Sequence, residues 1–146
     1  SGLYGVLRPL DLIQAYRLEM GTNFESQKGK NLYEFWNTKI TSEINSDLQA
    51  SKSKTLINLA SNEYFKSIHV ENLNAQIISP VFKDYSKGRY KVISFFAKKA
   101  RGLMSAYIIK NKLKDSKEIK AFNLDGYRFN QSESSQTNWI FQRNQS

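Results

Sequence analysis

The sequence holds no cysteine, one histidine, two prolines and seven glycines in 146 residues. Without cysteine there is no disulfide, no thiolate nucleophile, no iron–sulfur cluster and no zinc site of the Cys-containing kind, which fits a reducing compartment such as the cytoplasm. His69 alone cannot build a two-histidine metal centre. No apolar run approaches the roughly 18 residues of a membrane span, and residue 1 opens neither a charged nor an apolar leader segment, so no membrane partner is expected. What is present is 40% apolar and 13% aromatic residues, with 22 Lys plus Arg against 13 Asp plus Glu. That composition supports a globular domain, or a large part of one, spanning 1–146.

The apolar spacing indicates where helices and strands lie. Leu32, Phe35, Trp36, Ile40, Ile44 and Leu48 recur at helical intervals, which predicts an amphipathic helix from Asn31 to Leu48. Residues 55–60 are short and mostly apolar, a strand, and Ser61 is placed to cap a brief helix after it. Residues 75–82 and 90–96 are rich in Ile, Val and Phe, with turn chemistry at 84–88, and predict a hairpin. Residues 97–113 predict a second helix with Ala100, Leu103, Met104, Tyr107 and Ile108 inward. Asp115 or Ser116 caps a last short helix, and residues 127–130 and 138–142 pair as a closing hairpin. Interleaved helices and strands give an α/β or α+β fold with a mixed sheet.

The charge is not spread evenly. Residues 1–82 carry 8 basic and 8 acidic side chains, residues 121–146 carry 2 and 2, and residues 83–120 carry 12 and 3. The whole excess of +9 therefore sits in one hairpin-plus-helix segment. Charge of one sign gathered in this way repels itself, so an anionic partner is expected, a polyanion ahead of a small molecule; a solvated basic face is the plain alternative. Within the second predicted helix, Lys98, Lys99 and Arg101 fall in the first turns. There the helix dipole disfavours cations by roughly 0.3 to 1 kcal/mol each unless something offsets it. Lys98, Arg101 and Ser105 share one stripe, so basic groups, a hydroxyl and the free N–H groups of a helix start are expected to hold phosphate oxygens. Gly102 either admits a close partner or packs on a neighbouring element. Lys83, Arg89 and Lys91 extend the basic surface if they point the same way, and strand alternation puts Arg89 and Lys91 on one face. Most aromatic residues lie in apolar surroundings and read as core.

Five strings carry a family resemblance: residues 1–12 (SGLYGVLRPLDL), 16–21 (YRLEMG), 59–66 (LASNEYFK), 92–105 (VISFFAKKARGLMS) and 123–127 (NLDGY). They resemble the YaaA family of bacterial peroxide-stress proteins from end to end, with the amino-terminal part of the family absent. The resemblance implies an intracellular protein that limits free iron under hydrogen peroxide, binds DNA, and has an unusual α/β fold with a basic cleft and a helix-hairpin-helix element. Lys98, Lys99 and Arg101 match the family string at 97–102. DNA and the absent amino-terminal part are the partners expected, with exposed apolar surface around Leu3 to Leu12 where that part docks. No cofactor or metal is expected.

Two other chemistries remain open. An enzyme would use Glu19, Glu63 and Lys99 as acid and base in a cleft, against the plainer reading that Glu19 and Glu63 form ion pairs with Arg17, Arg8 or Lys66. Direct iron binding through Glu19, Glu63 or Asp125 would need an all-carboxylate site, which one histidine and no cysteine make a poor design.

Overall fold

The computed structural model describes residues 2–23 and 25–144. The chain, read from sequence as one domain portion, divides into two compact units, one of residues 1–54 and 60–75 and the other of residues 55–59 and 76–146.

The first unit is helical. Where one helix was expected over 31–48 there are two, α1 (Leu32–Trp36) and α2 (Lys39–Ala50). Asn37 between them has φ 44° and ψ −128°, outside the helical region, so no helix continues through it. Asn31 caps α1 by accepting from the Glu34 N–H. The short α3 (Asn62–Phe65) starts at Ser61, whose hydroxyl accepts from the Tyr64 N–H, as its sequence suggests. Met20, Leu32, Ile40 and Leu48 are buried here. Gly5 (φ 69°) lies against the Trp36 ring, so near that a Cβ would come within 3.0 Å, and the Trp36 indole donates to the Gly2 carbonyl at 2.6 Å. Leu10 and Leu12, by contrast, are almost wholly exposed.

The second unit is a mixed five-stranded sheet carrying one long helix. Strands β1 (Thr55–Ile57), β2 (Gln76–Ser86), β5 (Asn138–Arg143) and β4 (Arg128–Asn130) lie in that spatial order, and β3 (Arg89–Lys91) pairs with β2. The β1/β2 and β2/β5 pairs are parallel, while β2/β3 and β4/β5 are antiparallel. A mixed sheet of the expected kind is thus confirmed, as is the α/β class. The β2/β3 turn, Lys87-Gly88, has both φ values positive, the geometry that suits a two-residue hairpin loop.

Helix α4 (Ser94–Lys110) covers one face of the sheet. Even-numbered residues of β2 point into that core: Ile78, Pro80, Phe82 and Asp84 are buried and the odd-numbered residues between them are half-exposed. Ala97, Ala100 and Met104 of α4 meet them, together with Ile119, Phe122, Tyr127, Trp139 and Phe141. Phe82 is the hub, with Phe122, Tyr127 and Phe141 rings 5.2 to 6.0 Å from its own. A 3-10 turn over Ser116–Ala121 supplies Ile119, and its start is a reciprocal cap between Asp115 and Glu118.

Replacing Phe82 by Ala removes that hub and leaves a cavity. It should cost about 3 to 5 kcal/mol, read as a lower urea midpoint with an unchanged m-value.

Candidate nucleic-acid interface

Helix α4 begins three residues earlier than its periodicity suggested, at Ser94 with Ile93 as its uncapped lead-in. Lys98, Lys99 and Arg101 therefore lie in the second and third turns, one turn beyond the free N–H groups of the helix start. The dipole penalty falls off within the first turn, so their placement costs less than expected, and the helix terminus is not part of their site. Ser105 is also removed from it: its hydroxyl donates to the Arg101 carbonyl at 3.0 Å, four residues back in its own helix. Lys98 and Lys99 are exposed and Arg101 is half-buried. Gly102 is exposed with open space where a Cβ would stand, so it packs on no neighbour here. Phe95 and Ile109, both more than 70% exposed, share the outer face of the helix with the two lysines.

The hairpin residues divide between the faces of the sheet. Lys91 stands opposite Asp84 in the ladder and Arg89 opposite Ser86, which places both on the side that α4 covers. Lys83 lies on the other side and pairs with Glu133 at 3.2 Å, so it does not extend the helix surface. Among the described residues, Lys87, Arg89, Lys91, Lys98, Lys110 and Lys112 have no carboxylate partner.

Lys99 has one, and it leads to a network that sequence reasoning missed. Its ammonium is 3.3 Å from the Asp125 carboxylate, which also receives the Arg143 guanidinium at 2.7 Å. Arg143 donates through Nε to Asp84, and the Tyr127 hydroxyl donates to the other oxygen of Asp84 at 2.9 Å. Asp84 is fully buried and Arg143 nearly so. The guanidinium also lies 4.6 Å from the Tyr127 ring and 4.8 Å from that of Phe96 on α4. Asp125 reaches this position by adopting φ 54°, a left-handed conformation open to aspartate. Burial pushes the Tyr127 phenol well above its ordinary range, and the hydrogen bond to Asp84 and that residue's charge push it further. For Arg143, burial works against the charged form, but Asp84, Tyr127 and Asp125 outweigh it and raise the pKa.

The chain is matched by the family model described as peroxide stress protein YaaA over residues 1–133. It belongs to that family. Among relatives, it is 60% identical over 145 residues to a UPF0246 protein of Teredinibacter turnerae and 59% identical over 145 residues to one of Saccharophagus degradans, covering 99% of this chain and 57% of each relative. A UPF0246 protein of Aliivibrio fischeri is 57% identical over 143 residues, 98% of this chain and 55% of its own. The chain thus spans little more than half the length of these YaaA-family relatives. The family is one of peroxide-stress proteins, and its matched region takes in all of α4 and the Asp84, Asp125 and Tyr127 positions.

Two of the three residues weighed for catalysis, Glu63 and Lys99, have other partners. Glu63, in the first unit, accepts the Met20 N–H at 2.9 Å through its carboxylate, while its backbone carbonyl accepts from the Tyr33 hydroxyl at 2.8 Å. It anchors backbone rather than pairing with Arg17, Arg8 or Lys66; Arg8 instead holds Glu43 and Asp47. Glu19 is exposed in the same unit, and Lys99 belongs to the second. Burial, and after it the Glu63 charge, raises the Tyr33 pKa. Asp125, weighed for iron, is occupied by Arg143 and Lys99.

Tyr127→Phe should cost about 1.5 to 3 kcal/mol, the worth of a hydrogen bond to a charged group. The folded-state pKa of Tyr127 lies above the unfolded value of 10.0, so the unfolded chain loses this proton first as pH rises. The stabilisation is complete below pH 10 and is lost progressively above it. Urea unfolding of both proteins should therefore show their difference shrinking on the alkaline side; a difference that grows there contradicts the assignment.

Proposed function

We propose that this protein acts in the cytoplasm in the response to hydrogen peroxide by binding DNA through the phosphate backbone, with Lys98, Lys99 and Arg101 of α4 and Arg89 and Lys91 of the hairpin as contacts, within a response that limits free-iron damage. The observation that carries the reading is that Lys87, Arg89, Lys91, Lys98, Lys110 and Lys112 have no carboxylate partner among the described residues, on or beside a helix whose own lysines are exposed. Unpaired charge of one sign repels itself in the folded state and is relieved by a polyanion, with release of its counterions. Membership of a peroxide-stress family supports the physiological side of the reading. No helix among the described residues is long and apolar enough to cross a membrane.

The remaining length of the YaaA-family proteins is the second proposed partner. Leu10 and Leu12 are 93% and 99% exposed and Ile13 is half-exposed, a run of apolar side chains that water disfavours and a further protein segment would cover.

Fluorescence anisotropy of a labelled duplex at several salt concentrations tests the DNA reading. Affinity should be largely independent of sequence and fall steeply with salt, and Lys98→Ala or Arg101→Ala should each reduce the slope of log affinity against log salt by about 1. A salt-insensitive interaction, or a slope unchanged in both variants, contradicts it.

A further inference from the structure

The second unit holds an open cleft of about 680 Å³ at the ends of β4 and β5, which shares only Arg143 with the network above. That size lies within the range of small-molecule sites. Arg128, Asn130, Gln142, Asn144 and Tyr90 line it along with Arg143, and none of its lining residues is acidic. Strand alternation explains the polar character. Phe129 and Phe141 pair across the ladder and turn to the core, so Arg128 and its cross-strand partner Gln142 turn away from it.

The hydrogen bonds settle which atoms the cleft offers. The Asn130 Oδ1 accepts from the Ser132 N–H at 3.0 Å, the Ser132 hydroxyl at 2.8 Å and the Glu133 N–H at 3.2 Å. An oxygen is needed at that position, so the amide nitrogen of Asn130 must be the atom that donates to the Gln142 Oε1, at 2.7 Å. Gln142 is thereby oriented with its Nε2 as the atom left over, a donor with no partner among the described residues. The Arg128 guanidinium beside it is exposed and likewise has none. Tyr90 closes another side: its hydroxyl donates to the Asn144 Oδ1 at 2.6 Å and the residue is 38% exposed.

An unengaged guanidinium next to an unengaged amide donor, with an aromatic ring in the same cleft and no acid among the lining, suits a ligand that is anionic, rich in acceptors and flat in one part. We infer that this cleft binds a nucleoside monophosphate unit, its phosphate on Arg128, an acceptor atom on the Gln142 Nε2 and its base against Tyr90. Two sources offer that chemistry, a free mononucleotide and the 5′-phosphorylated end of a strand. The inference does not rest on the backbone contacts of α4, since none of its residues lies on that helix.

Isothermal titration calorimetry of the full-length protein tests it, with 5′-AMP, adenosine, inorganic phosphate and short single strands with and without a 5′-phosphate. Saturable binding of 5′-AMP is expected, weakened about tenfold or more in Arg128→Ala and for adenosine, which lacks the phosphate. Gln142→Glu keeps the acceptor for Asn130 and removes the donor, so it should weaken 5′-AMP while leaving the unfolding midpoint near that of the unaltered protein. A phosphorylated strand that competes with 5′-AMP, where its unphosphorylated counterpart does not, identifies the strand end as the source; 5′-AMP binding with no competition by either strand identifies the free nucleotide. Absence of saturable 5′-AMP binding, or binding equal in Arg128→Ala, Gln142→Glu and the unaltered protein, overturns the inference.

Discussion

A carboxylate with no access to water constrains the second unit. Asp84 lies on the core face of β2, in line with Ile78 and Phe82, where an isolated charge would cost several kcal/mol. Its position is tenable because Arg143 from β5 and Tyr127 from the turn before β4 both donate to it. That requirement joins three pieces of chain that are far apart in sequence. It also sets their register, because Asp84 stands directly opposite Arg143 in the parallel ladder, and a shift of β5 by one residue would turn Arg143 to the other face and away from Asp84.

The same arginine carries the constraint outward. With one edge on Asp84 and another on Asp125, and with the rings of Phe96 and Tyr127 beside its plane, it ties the sheet to the first turn of α4. Asp125 then takes Lys99 as a second cation. Of the few carboxylates near the basic segment, Asp84 and Asp125 are consumed in this way and Glu133 holds Lys83. Among the described residues, Lys98 and the hairpin cations Lys87, Arg89 and Lys91 are left without an acid to balance them. The internal ion network and the outward basic surface are thus two results of one distribution of charge, and the polyanion reading of this YaaA-family protein follows from the second.

Much of this architecture was legible beforehand. The period of 3.6 in residues 97–108 gave the core face of α4, and the Ile, Val and Phe of residues 75–82 gave β2 as a strand without saying which face is buried. Asp84 was not legible, because Asp-Tyr-Ser-Lys-Gly carries turn chemistry, and an acid there reads as the first turn residue. The alternation in fact runs two residues further, and the strand ends only at Ser86. Period 2 extended from Phe82 would have placed Asp84 inward and prompted a search for its partner. That partner, at position 143, depends on a parallel pairing no local pattern encodes. Helix α4 began early for a related reason: Ser94, Phe95 and Phe96 are poor evidence for either state, and the packing of Phe96 beside Arg143 decides it. Arg128 and Gln142 drew no notice because a cross-strand pair is visible only once the β4/β5 register is known.

The central claim is that Asp84 and Arg143 act as one buried unit rather than as two independent polar residues. A double-mutant cycle in urea with Asp84→Asn, Arg143→Gln and the pair of substitutions measures this directly. Either single change strands a buried group, so the double variant should be more stable than the sum of the single losses implies, by a coupling of about 1 to 3 kcal/mol. Losses that simply add, within about 0.5 kcal/mol, would contradict the account.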